Sequence, residues 1–472
     1  MDRWLAHALD YTPRWIDFQM SMSEQPGCIV AIEHRGSIVL ERAFGHANVA
    51  TREALTPRHR FRVASHTKTF TAAGILKLRE QRRLTLDDAA ATFVQGLHPA
   101  VGRTTIAQLL SHSAGLTRDG RDAGQFLDRR PFFNTRELRA DLSAPPVIEP
   151  SARFKYSNHG YGLLGLIIEA ITGEPYRDWI MREIVKAAGL RETTPDMPLP
   201  RGTPFARGHT GRTLLGRRLV IPGDFSTHAI EPAAGFVSTA RDLARFFAQL
   251  SPAARRSVLS AASRREMVRR QWRNPHSTLE QHYGLGTISG SLNNWDWFGH
   301  SGALQGYISR TCVLPLQNVT ISVLTNAIDG WAGAWVDGVI HILQAYARKG
   351  AVSGRARNWS GRWWTLWGAV DLLGMGDRVV VATPGLPNPL MDATEIEITG
   401  ANTGRIALAG GYASHGEPVR CVRARSGRML ELWLGATKFL PAARMAREMK
   451  GRYGTRTTRG QRRMRGTSAR RA

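Results

Sequence analysis

Lysine is scarce in this sequence: seven of its 64 basic residues are lysine and 57 are arginine. A skew of that size follows genome composition, so the formal net charge of +26 does not by itself mark a nucleic-acid binder. Cysteine is scarcer still. Cys28, Cys312 and Cys421 are scattered singly, which excludes a disulfide framework and fits a reducing compartment. Neither His-Glu-x-x-His nor Cys-x-x-Cys occurs, so neither a metal nor any other cofactor is expected. The first 20 residues carry Asp10, Arg14 and Asp17 and lack the apolar run of a secretory leader. No later stretch approaches the length of a membrane span. The expectation is a cytoplasmic protein without a membrane span, and no internal repeat divides it.

What is present is enough for two or three domains: 472 residues, 42% of them hydrophobic. Apolar positions at helical spacing predict an opening helix over 2–20. Two β-rich runs, Cys28–Glu33 and Ser37–Glu41, flank His34-Arg35-Gly36 and read as a hairpin. A second pair, Tyr307–Leu314 and Val319–Leu324, recurs late, followed by a helix-like stretch over 336–347. Between them helices are predicted at 66–81, 105–111, 159–172, 175–188 and 239–249. The economical architecture joins both hairpins in one antiparallel sheet and inserts the helical region, about 70–290, as a second lobe. Short runs at 378–382, 395–398, 405–408, 419–422 and 429–433, separated by turn residues, predict a small β-meander or barrel. The division expected is 1–348 for the first domain, 349–450 for the β-rich one and 451–472 for a basic disordered tail. From Arg444 onward there are eleven basic residues and one acid, Glu448, which reads as a solvated end.

Three constellations carry chemistry. Ser65-His66-Thr67-Lys68 opens a helical segment, so Ser65 and Lys68 share one face. A serine hydroxyl needs a base beside it, and a lysine of depressed pKa one turn away can serve. Tyr156-Ser157-Asn158 precedes an apolar helical stretch; a phenol held near cations can move a proton, and an asparagine amide can hold a carbonyl. His300-Ser301-Gly302 stands at the late hairpin, where a glycine lets a substrate backbone approach a strand edge. The rival His209-Thr210-Gly211 lies in a Gly- and Arg-rich loop without strand pattern and is set aside.

In this order Ser-x-x-Lys, Tyr-x-Asn and His-Ser-Gly resemble the signature of the class C β-lactamases, DD-peptidases and their esterase and D-aminopeptidase relatives. Leu109-Leu-Ser-His-Ser-Ala-Gly-Leu116, Ala234–Thr239 and Gly299–Ala303 resemble further stretches of that family, and the resemblance spans roughly 20–345. It implies an α/β (α+β), two-lobed, class C β-lactamase-like fold: an antiparallel sheet flanked by helices plus an all-helical lobe, followed here by the small C-terminal β domain. It implies Ser65 as nucleophile of an acyl-enzyme, Lys68 and Tyr156 as proton carriers with the lysine charge favouring the tyrosinate, and His300 as the third catalytic position. Asn158, Ser301, Gly302 and Ala303 would bind substrate, the backbone N–H groups of Ser65 and Ala303 forming the oxyanion hole.

One departure matters. Most β-lactamases and penicillin-binding proteins have lysine where this chain has His300, and the histidine resembles the D-aminopeptidase and esterase branch. The function implied is a serine hydrolase of a small-molecule amide or ester; a β-lactamase or DD-carboxypeptidase is the first alternative. A non-catalytic scaffold with a nucleic-acid-binding tail is the second, and nucleic acid is not the expected partner. His66, His112 and His159 read as loop or cap residues. Trp295 and Trp297, with Phe298, are open between an acyl pocket and core packing.

Overall fold

A computed structural model of the chain describes residues 2–454. The described chain forms two compact units, Ser23–Val336 and a second made of the described residues before Ser23 and after Val336.

In the first unit the described residues build a nine-stranded antiparallel sheet. Its centre is the pairing expected between the early and late hairpins: Gly27–His34 lies against Val319–Thr325, from Cys28 opposite Thr325 to His34 opposite Val319. Both strands are buried at every position, the polar Glu33, His34, Thr320, Ser322 and Thr325 included. The early hairpin turns on Arg35 and Gly36, with φ of +52° and +90°, the left-handed pair a two-residue hairpin loop demands. Beyond Val319–Thr325 follow Tyr307–Leu314 and Trp295–Leu304, so His300 stands inside a strand that precedes the late hairpin. Ile288–Leu292, Gln281–Tyr283 and Trp272–Arg273 complete that edge. These three strands fall where the sequence predicts a helical lobe reaching to about 290. At two to five residues each, they are too short for alternation to register.

The helices Thr67–Glu80, Asn158–Thr172 and Ala240–Gln249 occupy the predicted stretches, and Tyr176–Ile180 runs on through Met181–Lys186. Phe70 of the first is stacked between Phe236 and Phe246, with ring centroids 4.3 and 3.9 Å away. That stack locks the helix carrying Lys68 onto the rest of the core, at a gain of order 1 kcal/mol per aromatic pair beyond area burial.

In the second unit, eight strands from Gly361–Thr365 to Thr437–Phe439 follow one another in chain order. Trp364 and Leu440 exchange backbone hydrogen bonds of 2.8 and 2.9 Å, which closes the meander into a barrel. Trp363, Leu372, Val379, Ile396, Val419 and Leu432 fill its core. The first two strands and the last were not legible as strands: Gly361-Arg-Trp-Trp-Thr365 has no alternation, and Thr437–Phe439 is three residues long. Helix Ala442–Tyr453 takes in the first residues of the basic stretch expected to be disordered from 451; residues 455–472 of that stretch lie outside those described. Among the described residues no helix is long and apolar enough to cross a membrane.

Candidate active site

Ser65 sits in a single tight turn, Ala64–His66, that feeds directly into helix Thr67–Glu80. Ala64 holds φ at +47°, a conformation that an L-residue with a Cβ adopts at a cost of about 1–3 kcal/mol. The turn is fixed from both sides. The Val63 N–H donates to Phe236 O (3.0 Å), the Phe236 N–H donates to Thr67 Oγ1 (3.0 Å), and Val63 O accepts from the His66 N–H (3.1 Å).

One helical turn on, the Lys68 side chain is fully buried. Its Nζ meets three oxygens: Ser65 Oγ at 3.1 Å, Asn158 Oδ1 at 2.7 Å and Ala233 O at 2.9 Å. Burial drives its pKa well below the ordinary lysine value; the Asp119 carboxylate opposes that fall and the Arg118 guanidinium adds to it.

Tyr156 reaches Ser65 from the other side, its OH donating to Ser65 Oγ at 2.7 Å. Burial pushes the phenol up, against the pull of its bond to Ser65 and of the Arg118 charge. The tyrosine and Asn158 are set by the start of helix Asn158–Thr172, whose N-cap, Ser157, accepts from the Gly160 N–H at 2.9 Å. The Leu109–Leu116 loop holds that cap in turn: the Ser157 N–H donates to His112 Nδ1 (3.1 Å), and the His112 ring lies 4.1 Å from that of Tyr156. So Ser65, Lys68, Tyr156 and Asn158, far apart in sequence, form one hydrogen-bonded group.

The third motif meets this group through its glycine. A Cβ on Gly302 would stand 2.2 Å from Val63 O, so only glycine lets the strand lie against the backbone leading to Ser65. Ser301 and Ala303 flank it, both exposed. His300 is 3% exposed, with Nε2 at 3.0 Å from the Tyr283 hydroxyl and Nδ1 at 2.7 Å from Ser301 O and 3.0 Å from the Ser301 N–H. Burial, then the neighbouring His66 and Lys68, hold it well below the ordinary histidine range, so it is neutral at pH 7.

Of the other residues weighed from sequence, His66 bonds to Val63 O (3.0 Å) and Thr311 Oγ1 (3.1 Å), and burial pushes its pKa down to about 4. His159 pairs with Asp141 at 2.9 Å. Trp297 and Phe298 are buried in the sheet, the Arg310 guanidinium 4.8 Å from the Trp297 ring. The set-aside His209 does lie in a two-residue strand, Gly208–His209, and its ring binds Asn326 O and the Val49 N–H. Sequence reasoning missed the Ala233 carbonyl, Asp119 and Tyr283. A backbone acceptor has no sequence signal; Asp119 follows the Leu109–Leu116 loop by three positions and was within reach of notice; Tyr283 lay in the stretch predicted as helical. Among the described residues no three His, Cys, Asp or Glu side chains are grouped to hold a metal ion.

Residues 13–333 match the family model described as Beta-lactamase. Protein flp of Staphylococcus aureus (strain MW2) is 28% identical over 322 residues, 66% of this chain. The match spans 61% of the length of that curated relative. Two solved structures are similar. The octameric penicillin-binding protein homologue from Pyrococcus abyssi superposes with a TM-score of 0.64 at 21% identity, over 92% of this chain and 99% of its own. A D-stereospecific amidohydrolase from Streptomyces sp. gives 0.59 at 25% identity, over 71% and 97%.

Proposed function

The chain belongs to the Beta-lactamase family, and we propose that it is a serine hydrolase that cleaves a small amide or ester through an acyl-enzyme on Ser65. The observation that carries this reading is the set of oxygens around Lys68. A neutral amine has two N–H bonds and one lone pair. With Asn158 Oδ1 and Ala233 O taking the two N–H groups, the lone pair faces Ser65 Oγ, ready to take its proton. Burial favours that neutral form at Lys68 and the protonated phenol at Tyr156. The direction at Tyr156 is opposite to the tyrosinate implied by the resemblance, so the roles divide: Lys68 is the base and Tyr156 the proton donor.

In acylation Ser65 Oγ bonds to the carbonyl carbon as its proton passes to Lys68. The C–N or C–O bond then breaks, and the Tyr156 proton goes to the departing atom while Lys68 restores the phenol. A water repeats the sequence in reverse to free the acid. The backbone N–H groups of Ser65 and Ala303 serve as the oxyanion hole.

D-Amino-acid amides and short acyl esters are the substrates proposed. Similarity to a D-stereospecific amidohydrolase and a neutral His300 at the third motif support them over β-lactams and carboxylate-bearing peptides. The compartment proposed is the cytoplasm, in keeping with three free, buried thiols. Intact-mass spectrometry after treatment with a fluorophosphonate tests the reading. One adduct on the wild type and none on Ser65→Ala is expected. Equal labelling of both, or no labelling by the fluorophosphonate or a β-lactam, overturns it.

A further inference from the structure

Behind the four hydrogen-bonded residues lies a carboxylate that the reaction, as derived, does not use. Asp119 is 6% exposed, and burial of a carboxylate is costly unless each oxygen is paired. Each is: Oδ1 accepts from Asn158 Nδ2 at 2.5 Å and Oδ2 from the Arg118 guanidinium. The first bond settles a question the Asn158 side chain leaves open, because an amide can face either way. With Nδ2 committed to a carboxylate, which only accepts, Oδ1 must turn to Lys68, which it meets at 2.7 Å. The backbone reinforces the arrangement, the Asn158 N–H donating to Arg118 O at 2.9 Å. Arg118 itself is largely exposed and stands 6.0 Å from the Tyr156 ring.

We propose that Asp119 is a positioning residue that fixes the Asn158 amide and supplies the negative charge against which Lys68 is balanced. The proposal rests on the assignment of Ser65, Lys68 and Tyr156 given above. The groups that face Lys68 come from four sides. Asp119 and Arg118 lie behind Asn158; the Tyr156 and Tyr161 rings stand 4.7 and 5.5 Å from Nζ; His112 and His300 are held neutral by burial, with the Lys68 charge adding to that. Among these, Asp119 is the negative charge and Arg118 the nearby positive one, and they act on Lys68 with opposite sign.

Opposite signs make a test that a merely structural role fails. The sequence has seven lysines, few enough for 13C-labelled lysine to give resolved side-chain signals, with Lys68 assigned by its loss in Lys68→Met. Asp119→Asn removes the negative charge, so the Lys68 titration midpoint is expected to fall by about 1–2 pH units. Arg118→Gln removes the positive charge, so the midpoint is expected to rise. The acid limb of the fluorophosphonate labelling rate should move the same way in each variant, since Lys68 acts as base in its neutral form. Unmoved midpoints in both variants, or displacement of both in one direction, overturn the proposal. The NMR titration needs no turnover, so its outcome is separate from that of the hydrolase reading, which fails if the wild type takes no label. Thermal unfolding of each variant, with Asp119→Glu as the charge-conserving rescue, separates loss of fold from loss of charge; a Glu variant that titrates like the Asn variant also counts against it.

Discussion

Adding one methyl group at Gly302 tests whether strand Trp295–Leu304, which carries the third motif, is what holds Ser65 in place. A Cβ there would lie 2.2 Å from Val63 O and 2.7 Å from Ser309 Oγ, where real Cβ atoms keep at least 3.0 Å. Strand and turn must therefore part by about 0.8 Å or more. The hydroxyl at Ser309 can rotate away, but Val63 O cannot swing freely. It accepts from both the backbone and the ring of His66, and the Val63 N–H is bonded to Phe236 O. The displacement is passed to Ser65, two residues on. Overpacking of this kind costs about 1–3 kcal/mol, and moving a reacting group by about 1 Å costs on the order of 100-fold in rate. Gly302→Ala should thus melt a few degrees lower and react with a fluorophosphonate about 100-fold more slowly. Gly160→Ala is the control: its Cβ meets nothing closer than 3.6 Å, inside helix Asn158–Thr172. There alanine should add up to about 1 kcal/mol of stability and leave the labelling rate alone. Wild-type labelling by Gly302→Ala, or equal losses in the two variants, would refute the claim that this contact positions the serine.

Tyr156→Phe should lower the single-turnover acylation rate by about 100- to 10,000-fold on a D-amino-acid anilide but by much less on a p-nitrophenyl ester, whose leaving group needs no proton. Equal losses on both substrates would reassign the phenol to activating Ser65. His66 is neutral in the folded chain because burial takes its pKa down to about 4, whereas the unfolded chain takes up the proton near 6.5. Its contribution is present above about pH 6.5 and is lost as pH falls toward 4, a change of about 3 kcal/mol. Urea unfolding from pH 7 to 4 should fall less steeply for His66→Gln than for the wild type; parallel curves would mean that His66 is not the titrating group.

How much of this the sequence carried depends on how local each feature is. Helix Thr67–Glu80 and helix Asn158–Thr172 are long and periodic, and so were predicted within about one residue at each end. The early hairpin declared itself through Arg35-Gly36 flanked by β-rich runs. Five barrel strands were legible as short runs between turn residues, while the first and last gain their definition from closure between Trp364 and Leu440, a contact 76 positions apart in the chain. The site divides in the same way. Ser65 and Lys68 could be paired because one helical turn separates them, and Tyr156 and Asn158 because they straddle a cap. What joins the two pairs is a contact between distant segments: the Lys68–Asn158 bond, across 90 positions, and the Tyr156–Ser65 bond, across 91. No local pattern encodes it, nor the +47° φ of Ala64 that turns the serine toward it.

At the third motif the sequence names a residue type, and the fold shows what that residue touches. From sequence, His300 stands where a lysine would offer a fixed positive charge. In the fold both of its ring nitrogens are committed, one to Tyr283 and one to the Ser301 backbone, and 3% of the residue is exposed. A neutral ring with both nitrogens engaged has neither charge nor free donor to give a substrate carboxylate. Protonating it would place a cation beside buried Lys68, which on the proposed mechanism must itself take up a proton, and the low dielectric there makes like charges expensive. The two features constrain each other. With Lys68 lowered by burial and proposed as the base, the neighbouring position is best filled by a group that stays neutral, and histidine bound to Tyr283 does so while still fixing the strand that brings Gly302 to Val63. On the proposed function, substrates whose leaving side is uncharged, such as simple amides and esters, suit this arrangement, and those that end in a carboxylate meet a site with nothing at the third motif to balance it.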